Sequence, residues 1–316
     1  MKDLKQNAVK QQIFNFRESI SQILKCDIYQ DEAQNSKRLL NSHSFAQNGE
    51  TLTTGFSELD RLFLNLRPSD LMVIASFPWM HVSELLISIA KDVAINQNKR
   101  IGIISQSISP EMMAARIIGN IVDVSPLAMR EGWLTEDDLD RITYAKTLLD
   151  YESIIIATES IDGNALMKCI RNMKTQHDIE SLFIDTGKKK WRDVTQSYAK
   201  HCMGLMASIK NIAVELKIPT IVSIDLPAKC EGCLNIRASL KDVEKYGCVD
   251  NVADIIALVH TDESQWFDNK DKMDITDNCV ERLESEITVA RNKGKSESVA
   301  RLIYNRLYFR FENHRI

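Results

Sequence analysis

Glycine and proline are scarce in this 316-residue sequence, which has eleven of one and six of the other. That scarcity argues against disorder or a Gly-rich linker. Long apolar runs are missing too: none reaches the ~18 residues of a membrane span. The first twenty residues are polar and carry no secretory pattern, so no membrane partner is expected. Strong charge of one sign is also lacking. A formal net charge of −4 supplies no global field for nucleic acid, so any DNA contact has to be local. Seven scattered cysteines, an odd number in a long chain, point to reduced cytoplasmic thiols rather than a disulfide frame. Hydrophobic side chains are plentiful at 44%, enough for a large core in one large or two ordinary domains.

The shortage of glycine matters most after residue 71. Leu71-Met72-Val73-Ile74-Ala75 is an apolar run of strand length, aliphatic enough to be buried on both faces. The loop Ser76-Phe77-Pro78-Trp79-Met80-His81 follows, and Val82, Leu85, Leu86 and Ile89 then recur at helical spacing. Strand, short loop and helix are the frame of a phosphate-binding loop. Its chemistry needs glycines, so that backbone N–H groups converge on the anion, and a lysine for the terminal phosphates. This loop has neither. His81, Val82 and Ser83 stand where Gly-Lys-Thr is expected.

Ahead of that frame, Ile13, Phe16, Ile20 and Ile23 fall at three- and four-residue steps among polar residues, which predicts an amphipathic linker helix within 1–26. Residues 27–50 are polar and weakly patterned and read as a linker. From residue 51 to 316 strands and helices alternate. Strands are expected over 71–76, 101–105, 154–157, 181–185, 219–224 and 254–260, with helices over 110–121, 135–149, 163–174 and 195–216. This predicts a mostly parallel α/β sheet with helices on both faces. The tail segments 286–291, 299–304 and 307–311 follow without helices and predict an antiparallel C-terminal edge. Ligands of such sheets sit beyond the carboxyl ends of the strands.

Several segments, in order, resemble the C-terminal motor domain of the DnaB-type replicative helicases. They are Thr54-Gly55-Phe56-Ser57-Glu58-Leu59-Asp60, Arg67-Pro68-Ser69-Asp70-Leu71, residues 209–219, Ala253-Asp254-Ile255-Ile256 and Phe309-Arg310-Phe311-Glu312-Asn313. The resemblance covers roughly 51–313. It implies a RecA-like P-loop-type fold, Mg²⁺-ATP as cofactor, a hexameric ring and single-stranded DNA as partner. The family's globular N-terminal domain, which binds primase, has no counterpart in these residues.

Carried across one position at a time, the chemistry is depleted. Ser83 keeps a hydroxyl for Mg²⁺, but Val82 replaces the phosphate lysine. His81 fills the glycine position and is expected to plug the phosphate site. Ser107 replaces the glutamate that polarises the attacking water and cannot act as a carboxylate base. Asp185 keeps the Walker B carboxylate at the end of Leu182-Phe183-Ile184. Asp225 stands at the sensor position, where a carboxylate repels a γ-phosphate. Arg291 and Lys293 match in kind, with the residue types exchanged, the basic pair that reaches a neighbouring subunit's ATP. An Arg/Lys exchange at a bidentate site is not neutral, and an exposed basic turn is the simpler account of the pair.

Lys188, Lys189 and Lys190, followed by Trp191 and Arg192, form either a phosphate- or base-binding cluster or a solvated loop. Lys241 and Lys245 lie in the segment matching the family's central DNA-binding loop, though surface lysines are the commoner explanation. Cys230-Glu231-Gly232-Cys233 is a lone CxxC without a second ligand pair, so no metal is assigned. Three functions remain. The first is a DnaB-like protein that has lost ATP hydrolysis, binds ATP/Mg²⁺ weakly or not at all, and acts as an assembly, DNA-binding or regulatory partner. The second is a divergent but active 5′–3′ helicase with a substitute lysine. The third is an interaction protein that joins a helicase ring without nucleic acid.

Overall fold

The computed structural model describes residues 13–15, 51–63, 65–105, 108–148, 153–158, 163–186, 196–226, 236–245, 252–262, 282–292 and 297–314. Ten strands among them form one sheet. They are β1 (Ile13–Asn15), β2 (Leu71–Ser76), β3 (Ile101–Ser105), β4 (Ile154–Ala157), β5 (Ser181–Asp185), β6 (Thr220–Asp225), β7 (Ile255–Thr261), β8 (Arg282–Asn292), β9 (Ser298–Asn305) and β10 (Arg310–Asn313). The order across the sheet is β1-β4-β3-β5-β6-β2-β7-β8-β9-β10. Strands β4 to β7 in that order are parallel, and both outer parts are antiparallel.

All six residues of β2 are buried, as an aliphatic strand covered on both faces requires. Met72 and Ile74 join the core formed by α1 (Ser57–Phe63), α2 (Val82–Ile95), α3 (Pro110–Val122), α4 (Pro126–Glu131) and α5 (Glu136–Leu148). Leu71, Val73 and Ala75 face the opposite core, under α6 (Gly163–His177) and α7 (Gln196–Leu216). A last short helix, α8 (Leu240–Lys245), follows β6.

The segments that carry the family resemblance are structural ties. Asp60 Oδ1 accepts from the Thr54 amide at 2.6 Å and the Thr54 hydroxyl at 2.7 Å. Gly55 has φ 81°, and a Cβ there would lie 2.3 Å from the carboxyl carbon of Asp92, so only glycine fits. Asp70 accepts from the Arg67 amide at 2.8 Å and closes the turn into β2. Asp254 accepts both the Leu71 amide at 2.7 Å and the Lys210 ammonium at 2.6 Å. Asn313 accepts the Ser57 amide at 2.9 Å, tying the last strand to the first helix.

Two expectations change. Ile13–Asn15, inside the expected N-terminal helix, is a strand paired antiparallel with β4. The edge of β4 offers unpaired backbone groups, and an apolar β-branched and aromatic segment satisfies them as readily as it forms a helix turn. The rest of 1–50 lies outside the described residues. The last strand begins at Arg310, because the Asn305 side chain accepts the Leu307 and Tyr308 amides and makes residues 306–309 a turn.

One buried group predicts pH dependence. His260 on β7 is 7% exposed, and its Nδ1 is enclosed without a hydrogen-bond partner. Burial, assisted by the nearby Arg237 guanidinium, holds its pKa below 6.5, against an opposing pull from Asp262. The folded chain therefore binds this proton less readily than the unfolded chain. That contribution to stability is complete above the unfolded pKa and is lost as pH falls from there through the lower, folded pKa. Urea midpoints at about pH 7.5 and about pH 5.5 are expected to differ more for the native chain than for His260→Leu.

Candidate nucleotide-binding loop

Residues 77–81 join β2 to α2 at the carboxyl end of the sheet. Two residues of this glycine-free loop have left-handed backbones: Trp79 has φ 71° and His81 φ 63°. Non-glycine residues hold such left-handed conformations only where the surroundings impose them. For His81 the surroundings are visible. Its ring stacks on buried Tyr304 of β9, with centroids 3.8 Å apart and planes 17° apart. Glu84 follows one turn on, its Oε2 4.0 Å from His81 Nδ1, while its Oε1 accepts from Arg116 Nη1 at 2.9 Å. The Arg116 guanidinium lies over the Phe309 ring at 5.2 Å. The imidazole is thus a packing group against the C-terminal hairpin.

Val82, at the lysine position, is 4% exposed and belongs to the apolar core. Helix α2 does contain a lysine, Lys91, but it lies nine positions further on, about 13 Å along the axis. Burial holds the Lys91 pKa below its ordinary value, with Arg310 adding to the effect and Asp92 opposing it. It is too far along the helix to replace a loop lysine.

Beyond β6, on β5, a buried carboxylate reaches the first turn of α2. Asp185, fully buried at the end of β5, accepts from Ser83 Oγ at 2.8 Å and Ser223 Oγ at 2.8 Å through Oδ1. Its Oδ2 accepts from Ser105 Oγ at 2.9 Å. Ser105, Asp185 and Ser223 form one row across β3, β5 and β6. Ser105 and Ser223 were not anticipated from the sequence. The legible signal was a hydroxyl at or near the end of each strand flanking the aspartate. Asp225 ends β6 opposite Ser76, beside the start of the loop, and is 6% exposed.

A triphosphate needs convergent amides, a lysine and a metal ligand set. The Ser83–Asp185 pair suits a hydrated Mg²⁺. The positions that should grip the β- and γ-phosphates are an apolar core residue, a packed imidazole and a nearby carboxylate, and they do not fit the group.

Other candidates lie elsewhere. Arg291 pairs with Ile256 at the amino end of the sheet, the end opposite Ser83 and Asp185. Lys241 is exposed on α8. Ser107, Lys188, Lys189, Lys190, Lys293 and the Cys230–Cys233 pair lie outside the described residues, as does the side chain of Lys245. Among the described residues no three or more His, Cys, Asp or Glu side chains come together as a metal-binding group. No described helix is long and apolar enough to cross a membrane.

The sequence model of the DnaB-like helicase C terminal domain matches residues 51–313. This chain belongs to that family. A probable plasmid replicative DNA helicase of Chlamydia psittaci is 29% identical over 66% of the chain and 46% of its own length. Replicative DNA helicase DnaB of Geobacillus stearothermophilus is 25% identical over 83% of the chain and 56% of its own. The chain therefore spans about half the length of these DnaB-like relatives. In fold it is similar to a solved ATPase domain, with TM-score 0.67 and 18% identity over 85% of the chain and 94% of that domain. The structure of a DnaB-like replicative helicase described with its interactions with primase gives TM-score 0.67 and 17% identity, covering 94% of this chain and 72% of that one. The DnaB-like, RecA-type α/β fold expected from the sequence is the fold observed.

Proposed function

We propose that this chain is a DnaB-like helicase domain that has lost nucleotide hydrolysis and serves a DNA-replication apparatus as an assembly, DNA-binding or regulatory partner. One observation carries the reading. The Gly-Lys positions of its phosphate loop are His81, stacked on Tyr304, and Val82, buried in the core. Asp185 keeps a structural part, closing three strands and the start of α2 through serine hydroxyls. The proposed setting is the cytoplasm, with ATP/Mg²⁺ bound weakly or not at all. The proposed partners are further copies of the chain in a ring or else a partner helicase, and single-stranded DNA through Lys241, Lys245 and Lys188 to Lys190. Arg291 and Lys293 would serve such a ring rather than their own chain's loop, since Arg291 sits at the far end of the sheet.

A second reading, a divergent active 5′–3′ helicase, is favoured by the retained Ser83–Asp185 contact. It requires a lysine from outside α2, and 188–190 is the segment that offers one. Phosphate release measured with and without single-stranded DNA separates the two. The expected result is background release in both conditions. DNA-stimulated release that Asp185→Ala abolishes would establish the second reading instead.

A further inference from the structure

The C-terminal strands leave a cleft on the face of the sheet opposite the one that carries Tyr304 and the His81 stack. Along β9, Ala300, Leu302 and Tyr304 turn into the core, so Val299 and Arg301 stand on the other face. Cross-strand register extends that face. His260 lies opposite Glu286 and Glu286 opposite Arg301 in one row; Leu258 lies opposite Thr288 and Thr288 opposite Val299 in the next. Residues 237–240, leading into α8, and Glu297 complete a cleft of about 310 Å³ over these rows.

The walls are largely aliphatic, from Leu240, Leu258 and Val299. One polar group is set among them. The His260 imidazole lines the cleft, is more than nine-tenths buried, and has no hydrogen-bond partner at Nδ1. A neutral imidazole carries one N–H and one acceptor nitrogen, and the edge of a nucleobase also presents donors and acceptors. Two guanidinium groups stand beside the opening. Arg237 is engaged by Glu286. Arg301 is exposed and makes no ion pair with a described residue. An apolar slot with one hydrogen-bonding group and a guanidinium next to it suits a nucleotide: a base takes apolar or guanidinium faces and edge hydrogen bonds, and its phosphate takes the cation.

We propose that this cleft takes one nucleobase, with the base edge on the His260 imidazole and the adjoining phosphate on Arg301. The inference rests on the single-stranded DNA part of the reading above. It adds a base to contacts that lysines alone make only with the backbone. The same chemistry is offered by a base on a strand and by a free nucleotide.

Fluorescence anisotropy of the full chain with a labelled oligothymidylate, titrated over a range of salt, tests this. Val299→Trp fills the cleft from a position 52% exposed, where the core is not disturbed. It should weaken binding at least about tenfold and keep the salt slope. A strand of the same length without bases should bind the native chain as weakly. Arg301→Gln should instead lower the slope by about 0.7, the share of one phosphate on a single strand. Strand binding indifferent both to Val299→Trp and to removal of the bases would overturn the inference and spare the DNA reading. Thymidine monophosphate that binds the native chain but not Val299→Trp, while the strand binds neither, would support the base site and overturn the DNA reading. Binding of neither ligand would overturn both.

Discussion

Asp185→Ala is expected to lower folding stability by about 3 kcal/mol while leaving phosphate release at background. The carboxylate is fully buried and accepts from three hydroxyls on three different elements. Removing it strands those donors in an enclosed place, and each unsatisfied group costs about 1–3 kcal/mol. Asp185→Asn preserves the shape and part of the bonding, so a smaller loss is expected. Urea unfolding of the three proteins, read beside their phosphate release, checks both halves. In an active motor the same substitution would act first on turnover.

The double substitution His81→Gly, Val82→Lys should have the opposite signature. Without ligand it should be less stable than the native chain. It gives up the stack on Tyr304, which such aromatic pairs make worth about 0.5–1.5 kcal/mol. It also places an ammonium where a valine is buried at 4% exposure. With Mg²⁺-ATP, the new lysine and the freed loop amides have a phosphate to meet. Ligand at a hundred times its dissociation constant would return about 2.7 kcal/mol. Thermal melting with and without Mg²⁺-ATP is expected to show a rise for the double variant and none for the native chain. Adding Asp225→Gln, which removes the carboxylate beside the loop, should enlarge the rise. No response in either variant would mean that the loop has diverged beyond these positions.

These outcomes follow from a division that the sequence already carried. The residues by which the family is legible hold helix and strand ends, Thr54, Asp60 and Asp70 through short-range bonds and Asp254 and Asn313 through bonds to distant segments. The parallel strands were legible because an aliphatic run buried on both faces has no other soluble home. That a histidine and a valine stand at 81 and 82, in a loop without glycine, could be read from residue type alone. What residue type cannot report is direction: His81 turns to Tyr304, more than two hundred residues away, and only the closed sheet brings them together. The serine row on Asp185 was hidden for the same reason, since cross-strand register decides it. The amphipathic spacing around Ile13 suits a helix in isolation, but the open edge of β4 recruits Ile13–Asn15 as a strand.

The central claim is that this motor scaffold no longer grips a triphosphate. An isothermal calorimetric titration of the full chain with Mg²⁺-ATP, carried to millimolar nucleotide, addresses it directly. The account predicts no saturable heat, or at most a weak isotherm that does not change when Asp185 is replaced by Asn. A stoichiometric, micromolar isotherm that requires magnesium and is abolished by Asp185→Asn would contradict it.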